Sequence, residues 1–254
     1  MMNALFGLGF EQAHFELPEV RVPNYREGVF GEWKVHKKNV PMIRGYFNGI
    51  QEPENDNYIL LNTEQGKVWM SVTPMELESH AFHIQAAKGK TVMVGLGMGM
   101  YLYNVCAKPE VTEVIVVEKE EAVIQAFYQF SGCESWLGWN KVKIVHGDAL
   151  CASEEIKQQA HGADYLYADI WPEMGAMEAM DDMKIICNEM APKQAGWWCQ
   201  ELDYFDIAEK GEAGYDPADI DAVVREGWNI PVQTTGIEDY SRLFKAAAFN
   251  LVMM

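Results

Sequence analysis

The sequence predicts an α/β fold: a mostly parallel sheet with helices on both faces, preceded by a small antiparallel β unit. Three observations predict it. From residue 74 onward, short β-branched apolar runs alternate with helix-period segments, the pattern of strands joined by helical crossovers. One such run, Lys90-Thr91-Val92-Met93-Val94, meets a helix-compatible segment through the alternating glycines Gly95, Gly97 and Gly99. Residues 30–73 instead alternate polar and apolar around polar turns, as an antiparallel unit does.

Taken in order, residues 1–30 are punctuated by Pro18, Pro23 and Gly28 and predict loops and short pieces. Glu32 to His36 and Pro41 to Phe47 predict strands, with a polar turn over Glu52 to Asn57. Tyr58 to Leu61 and Gly66 to Val72 form a hairpin signal across Asn62 to Gln65. Thr73 as N-cap, Pro74 at the first position and Glu76 at the third open a helix that runs to about Ala87. Strands are expected at Val111 to Glu118, Val142 to Val145, Asp164 to Ala168 and Ala195 to Cys199. Helices are expected at Met100 to Ala107, Glu120 to Phe130, Ser153 to Ala160, Met177 to Met190, Asp216 to Glu226 and Asp239 to Asn250. The expected division is an N-terminal extension with the β unit over 1–73 and the main α/β domain over 74–254.

Composition narrows the function classes. The net charge of −18 argues against a nucleic-acid partner, because phosphate binding wants clustered Lys and Arg. The five cysteines are odd in number and contain no CxxC pair, so free thiols in a reducing compartment, the cytoplasm, are expected. No run of about eighteen apolar residues suggests a membrane span. A homodimer is compatible with the composition.

In sheets of this kind ligands sit beyond the carboxyl ends of the strands. The residues that follow successive strands are the glycine turn, Glu118, Asp148 and Asp169. Glu118 lies nineteen positions beyond Gly99, the reach of one helix out and one strand back, and a carboxylate there can accept both ribose hydroxyl protons. The third glycine comes one place too early for GxGxxG, with Met100 in the expected position, which disfavours NAD. No GxxxxGK[ST] is present, which excludes a P-loop.

These residues resemble the class I S-adenosylmethionine-dependent methyltransferases, a Rossmann-like superfamily. The resemblance implies S-adenosyl-L-methionine as cofactor, held by Gly95, Leu96, Gly97, Gly99, Glu118, Asp148, Ala149 and Asp169. Glu118 would hold the ribose and Asp148 the adenine amino group. Asp169, beside the reacting methyl, is the candidate catalytic residue, and Trp171 a candidate for the acceptor pocket. Within the superfamily, Val92-Met93-Val94-Gly95-Leu96-Gly97 and Val117-Glu118-Lys119-Glu120-Glu121-Ala122 are most similar to the polyamine (spermidine) synthase branch. That branch carries two aspartates three apart after its fourth strand; here Asp169 takes the first place and Pro172 the second. The leading expectation is therefore a methyltransferase acting on a small-molecule acceptor. Aminopropyl transfer from decarboxylated S-adenosylmethionine is the alternative, and a non-catalytic nucleoside-binding module the third reading.

Each site residue also has a plainer reading. The glycines suit any strand-to-helix turn, Glu118 any acidic run, and Asp148 a helix N-cap. Trp171 caps a core as readily as it lines a pocket. His80 and His83 could bind metal with Glu76 or Glu78, but a pair exposed on a helix face is more often structural, and no metal is expected. Trp197 and Trp198 read as core, and Glu201 and Asp203 as residues past the fifth strand that could face the acceptor.

Overall fold

The computed structural model describes residues 14–39, 42–53 and 57–252. Strands Gly28–Phe30 (β1), Trp33–Lys37 (β2), Tyr58–Asn62 (β5) and Lys67–Ser71 (β6) form a four-stranded antiparallel sheet in the order β1-β2-β5-β6. A two-stranded antiparallel sheet pairs Ile43–Arg44 (β3) with Ile50–Gln51 (β4). The main sheet comprises Gly89–Val94 (β7), Val111–Glu118 (β8), Val142–His146 (β9), Tyr165–Ala168 (β10) and Ala195–Trp197 (β11). Its five strands are all parallel and run β11-β10-β7-β8-β9, so the order reverses at β7. Helices Pro74–Ala86 (α1), Met100–Cys106 (α2), Glu121–Phe130 (α3), Glu154–Ala160 (α4), Ala179–Met190 (α5), Gln200–Lys210 (α6), Pro217–Trp228 (α7) and Tyr240–Val252 (α8) pack around it. The fold is the expected α/β arrangement with a Rossmann-like parallel sheet and a small antiparallel sheet before it.

One hydrophobic core runs through both larger sheets, from Tyr25, Trp33 and Val35 to Phe127 and Phe130 and on to Tyr204 and Phe244. The central strands are near-continuous apolar runs, as strands covered on both faces must be. Asn104 on α2 anchors the segment before β1: its Oδ1 accepts Arg21 N–H and its Nδ2 donates to Arg21 O, both at 2.8 Å. At the open edge of β11, Ala195 N–H donates to Pro231 O at 3.0 Å. Asp221, fully buried on α7, holds that covering segment by accepting from Thr234 N–H and Thr234 Oγ1.

Three features differ from expectation. The strand expected over Pro41 to Phe47 shortens to β3, residues 40–41 lying outside the described residues. The cause is Glu78 on α1, whose buried carboxylate gathers Phe47 N–H, Asn48 N–H, Asn48 Nδ2 and Gln51 Nε2, at 2.5–3.1 Å. Those donors turn inward instead of continuing a ladder. Part of the turn expected over Glu52 to Asn57, residues 54–56, also lies outside the described residues. Thr73 occupies the N-cap position of α1, but its side chain makes no capping bond. The third is α6, which follows β11 in a stretch where the sequence predicted no element. Cys199 turns the chain in the left-handed region, φ +62°, and the helix starts at once.

The His80/His83 helix is not exposed. Most of α1 is buried, its acids and histidines included. The C-terminal helix closes over the β3–β4 segment: Asn250 Nδ2 donates to the carbonyls of Tyr46 and Asn48 at 3.1 and 3.0 Å, and Arg44 Nη1 donates to Asn250 Oδ1 at 3.0 Å. All five cysteines are free. No helix among the described residues is long and apolar enough to cross a membrane.

The close approach of β7 and β10 at their carboxyl ends rests on Gly95. Its φ is +91°, and a Cβ there would overlap the backbone carbonyl oxygen of Asp169. Gly31, at φ +63° in the β1–β2 turn, faces open space. Gly95→Ala is therefore expected to destabilise the chain by about 3 kcal/mol or more, and Gly31→Ala by only about 1 kcal/mol. Urea unfolding of the two variants checks the contrast; equal losses would refute the account of the crossing.

Candidate functional site

The strand order reverses between β10 and β7, so the crevice outside their carboxyl ends is where this topology places a ligand. The glycine turn forms one wall. Gly95 N–H donates to Val117 O at 2.9 Å, and Asp169 N–H donates to Val94 O at 2.8 Å, which locks the turn between its neighbouring strands. Leu96, 1% exposed, lies under the turn. Gly99 abuts the ring of Phe127 on α3, leaving no space for a side chain. Gly97 abuts the Met70 thioether of β6, whose sulfur accepts Met98 N–H at 2.8 Å. The small sheet thus reaches directly into the glycine turn.

The three strand-tip acids have different surroundings. Glu118 is buried at the end of β8, and its two oxygens accept Leu96 N–H and Glu120 N–H, each at 2.7 Å. Burial raises its pKa, against the lowering effect of those amides. A carboxylate has lone pairs beyond these two bonds, so acceptor capacity remains. Asp148, after β9, caps the short turn Ala149–Cys151 by accepting Leu150 N–H at 2.9 Å, and Ala149 is buried beneath it. The Lys119 ammonium, 2.9 Å away, holds the Asp148 carboxyl below its ordinary pKa. Asp169 follows β10 with its side chain 19% exposed, and Asp148, at 31%, is also partly open.

Asp169 meets a partner that its sequence neighbourhood does not reveal. His80 Nε2 on α1 lies 3.3 Å from Asp169 Oδ2, across 89 residues of sequence. His80 Nδ1 lies 2.7 Å from Glu76 O. The Glu76 side chain joins them, one ligand atom from each residue falling within 4.8 Å of the others. Burial pushes the Glu76 carboxyl up to about 8, the His80 charge acting downward and the Asp169 charge upward. Burial lowers the His80 pKa, but the hydrogen bond and charge of Asp169, aided by Glu76, outweigh it and the net direction is up. Tyr167 and Tyr101, stacked with centroids 4.4 Å apart, pack beside this cluster, and His80 sits edge-on to Tyr167. Among the described residues, the Tyr167 hydroxyl has no hydrogen-bond partner.

His83, one turn later, faces the other end of β10. Its Nδ1 lies 2.9 Å from Tyr165 Oη, and burial lowers its pKa to about 3, so it stays neutral. A small cleft lined by His83, Tyr165, Gln194 and Thr234 opens there, at the amino ends of β10 and β11. That is the opposite end of the sheet from the strand-tip acids. Trp171 is 6% exposed, and its Nε1 donates to Asp182 Oδ2 at 2.9 Å, tying the loop after β10 to α5.

Glu201 and Asp203 belong to α6 and point into the protein. Glu201 accepts from Tyr46 Oη at 3.2 Å and Tyr240 Oη at 3.0 Å, and Asp203 accepts Trp197 Nε1 at 2.7 Å. The expectation that they could face an acceptor is thereby corrected: both clamp buried aromatic residues. The reason is the early start of α6, which turns inward side chains that a loop would leave at the rim.

No protein-family model matches the sequence, and no curated protein matches it. Among solved structures, the CcbJ methyltransferase from Streptomyces caelestis is 17% identical, with a TM-score of 0.32 over 43% of this chain and 44% of its own. The glycopeptide N-methyltransferase MtfA, solved with S-adenosyl-L-methionine, is 15% identical, with a TM-score of 0.33 over 45% of this chain and 47% of its own. The methyltransferase domain of bacterial CtHen1-CN is 10% identical, with a TM-score of 0.36 over 51% of this chain and 84% of its own. This chain thus spans less than half the length of CcbJ and MtfA. Similarity of this depth carries no argument about activity.

Glu201, buried on α6, and Asp203, half-buried beside it, make stability depend on pH. Burial raises Glu201 from 4.5 and Asp203 from 3.8, each to about 7. Folded-state pKa values above the unfolded ones mean that the folded chain binds more protons between these limits. The stabilisation is full below the unfolded values, falls as pH rises and is lost above about 7. The melting temperature is expected to drop between about pH 5 and pH 7.5. Glu201→Gln should remove about 1.4 kcal/mol per pH unit of that slope. Calorimetric melts across this range check it; an unchanged slope in Glu201→Gln would contradict the assignment.

Proposed function

We propose that the chain is an S-adenosylmethionine-dependent methyltransferase acting on a small-molecule acceptor, at work in the cytoplasm. The observation that carries this reading is the arrangement at the switch point. A glycine turn, an acid tied to that turn through Leu96 N–H, and a partly open acid after the neighbouring strand stand together at the carboxyl ends of the central strands. In this reading Gly95, Leu96, Gly97 and Gly99 hold the methionine part of the cofactor. Glu118 accepts the ribose hydroxyls, and Asp148 with Ala149 receives the adenine. Asp169 faces the reacting methyl, and Trp171 braces the loop that borders the acceptor. We assign this binding to residues 74–254, with 1–73 as an extension whose Met70 closes the turn.

Methyl transfer needs an in-line approach of the acceptor to a sulfonium carbon, and positioning with exclusion of water supplies much of the rate. The buried aromatic wall of Tyr101 and Tyr167 beside Asp169 suits that requirement. The strongly acidic chain disfavours a nucleic-acid acceptor.

Aminopropyl transfer is kept as a second reading by one observation. Position 172 is Pro, but Glu76 on α1 brings another carboxylate to Asp169, and paired carboxylates suit a cationic amine. The polyamine-synthase likeness of the glycine motif points the same way.

Calorimetry with S-adenosylhomocysteine and with the decarboxylated nucleoside tests both. The methyltransferase reading expects the carboxylated form to bind more tightly, and Asp148→Ala to weaken it about tenfold. That substitution should lower stability by only about 1 kcal/mol through the lost cap. Tighter binding of the decarboxylated form would favour aminopropyl transfer. Binding without turnover of any amine or hydroxyl acceptor would favour a nucleoside-binding module.

A further inference from the structure

The orientation of His80 is set by the backbone of its own helix. Nδ1 faces Glu76 O, a pure acceptor, at 2.7 Å, so Nδ1 carries the proton and donates it. Ser79 Oγ donates to the same carbonyl at 2.9 Å and accepts Trp198 Nε1 at 3.0 Å, so the carbonyl that aims the ring is itself braced. In the neutral ring Nε2 is then a bare lone pair, and it faces a second acceptor, Asp169 Oδ2, at 3.3 Å. A proton on Nε2 bridges the two as an ion pair, and a metal ion can take that proton's place. Glu76 lies one turn earlier on the same face of α1 and is 8% exposed. Among the described residues, nothing donates a hydrogen bond to its carboxylate. A buried carboxylate without donors, beside an imidazole lone pair and a second carboxylate, is a set of converging ligands lacking only their centre.

We propose that Glu76, His80 and Asp169 bind a divalent first-row transition-metal ion, of the zinc, manganese or cobalt class. One imidazole nitrogen and two carboxylate oxygens make an intermediate-to-hard set, which suits these ions and not the soft ones. A ring N–H donated to a backbone carbonyl is the outer-shell arrangement that holds metal-binding histidines in place. Ligand atoms within 4.8 Å of one another need only small side-chain rotations to reach bonds of about 2.0–2.2 Å to one ion. Three protein ligands leave positions free on the ion. The partly exposed Asp169 side chain gives it a path from solvent and turns the free positions toward the crevice. The site stands on this geometry whether or not the crevice takes a nucleoside.

The test uses the full chain, treated with chelator, dialysed and titrated with Zn²⁺ and Mn²⁺ by calorimetry and with Co²⁺ by visible absorption. One ion per chain is expected, with Co²⁺ giving the spectrum of mixed nitrogen and oxygen ligation. His80→Gln and Asp169→Asn should each weaken binding on the order of 100-fold. Asp164→Asn, an acid at the amino end of β10 paired with Lys193, should leave it unchanged. If His80→Gln does not fold, Asp169→Asn, altered at a partly open position, decides alone. Metal should also raise the melting temperature of the parent chain and not of Asp169→Asn. Absence of stoichiometric binding, binding that survives Asp169→Asn, or stabilisation by a diamine but by no metal would overturn the proposal. S-adenosylhomocysteine titrated into the same preparations separates the two readings. Metal binding without nucleoside binding would sink the cofactor assignment alone, and nucleoside binding without metal would sink this one alone.

Discussion

The structure depends on how closely the ends of β7 and β10 approach where the sheet order reverses. Gly95 has no side chain because the Asp169 carbonyl occupies the space, and Asp169 N–H closes the contact by donating to Val94 O. That interlock does two things at once. It starts the glycine turn at the depth where Leu96 N–H reaches Glu118, and it releases the chain after Ala168 with the Asp169 side chain directed at α1. The crevice follows from a backbone constraint, and the side chains around it inherit their positions.

The second organising element is a polar helix placed where an apolar one would be ordinary. Buried acids and imidazoles are expensive unless each has partners. On α1 three of the four, Glu78, His80 and His83, draw their partners from distant segments. Glu78 gathers the donors of residues 47–51, His83 meets Tyr165, and His80 meets Asp169. The helix acts as a junction: residues 43–51 fold over one side because of Glu78, and the main sheet docks on the other. Glu76 is the exception, a buried carboxylate that no described donor serves.

Much of the fold was legible because its signals are local. The β-branched run before Gly95, the period-two hairpin of Tyr58 to Val72 and the Asp216-Pro217 helix start each contain their own evidence. Strand-tip acids were legible through spacing, since one helix and one strand between Gly99 and Glu118 is a matter of chain geometry. The helix α6 was not legible. It has no N-terminal Ser, Thr, Asp or Asn to announce it, and Cys199 adopts the left-handed turn usually left to Gly or Asn. Glu201 and Asp203 then looked like rim acids because they follow the strand and no helix was predicted there. The pairing of His80 with Asp169 could not be read at all, since it joins a helix before β7 to a loop after β10. A signal existed in Glu76-x-x-x-His80, residues one helical turn apart, but nothing local tells whether that face is wet or buried.

Asn250 adds a consequence for the order in which the molecule is made. Its side chain closes on the carbonyls of Tyr46 and Asn48 across 204 and 202 residues of sequence. A ribosome adding about 5–20 residues per second leaves the β3–β4 pair waiting roughly 10–40 s for that clamp. During the interval α1 organises the pair, through Glu78 and through Phe82 against the Phe47 ring. Helix α8 therefore latches a segment synthesised long before it, and until α8 emerges that segment lacks its clamp.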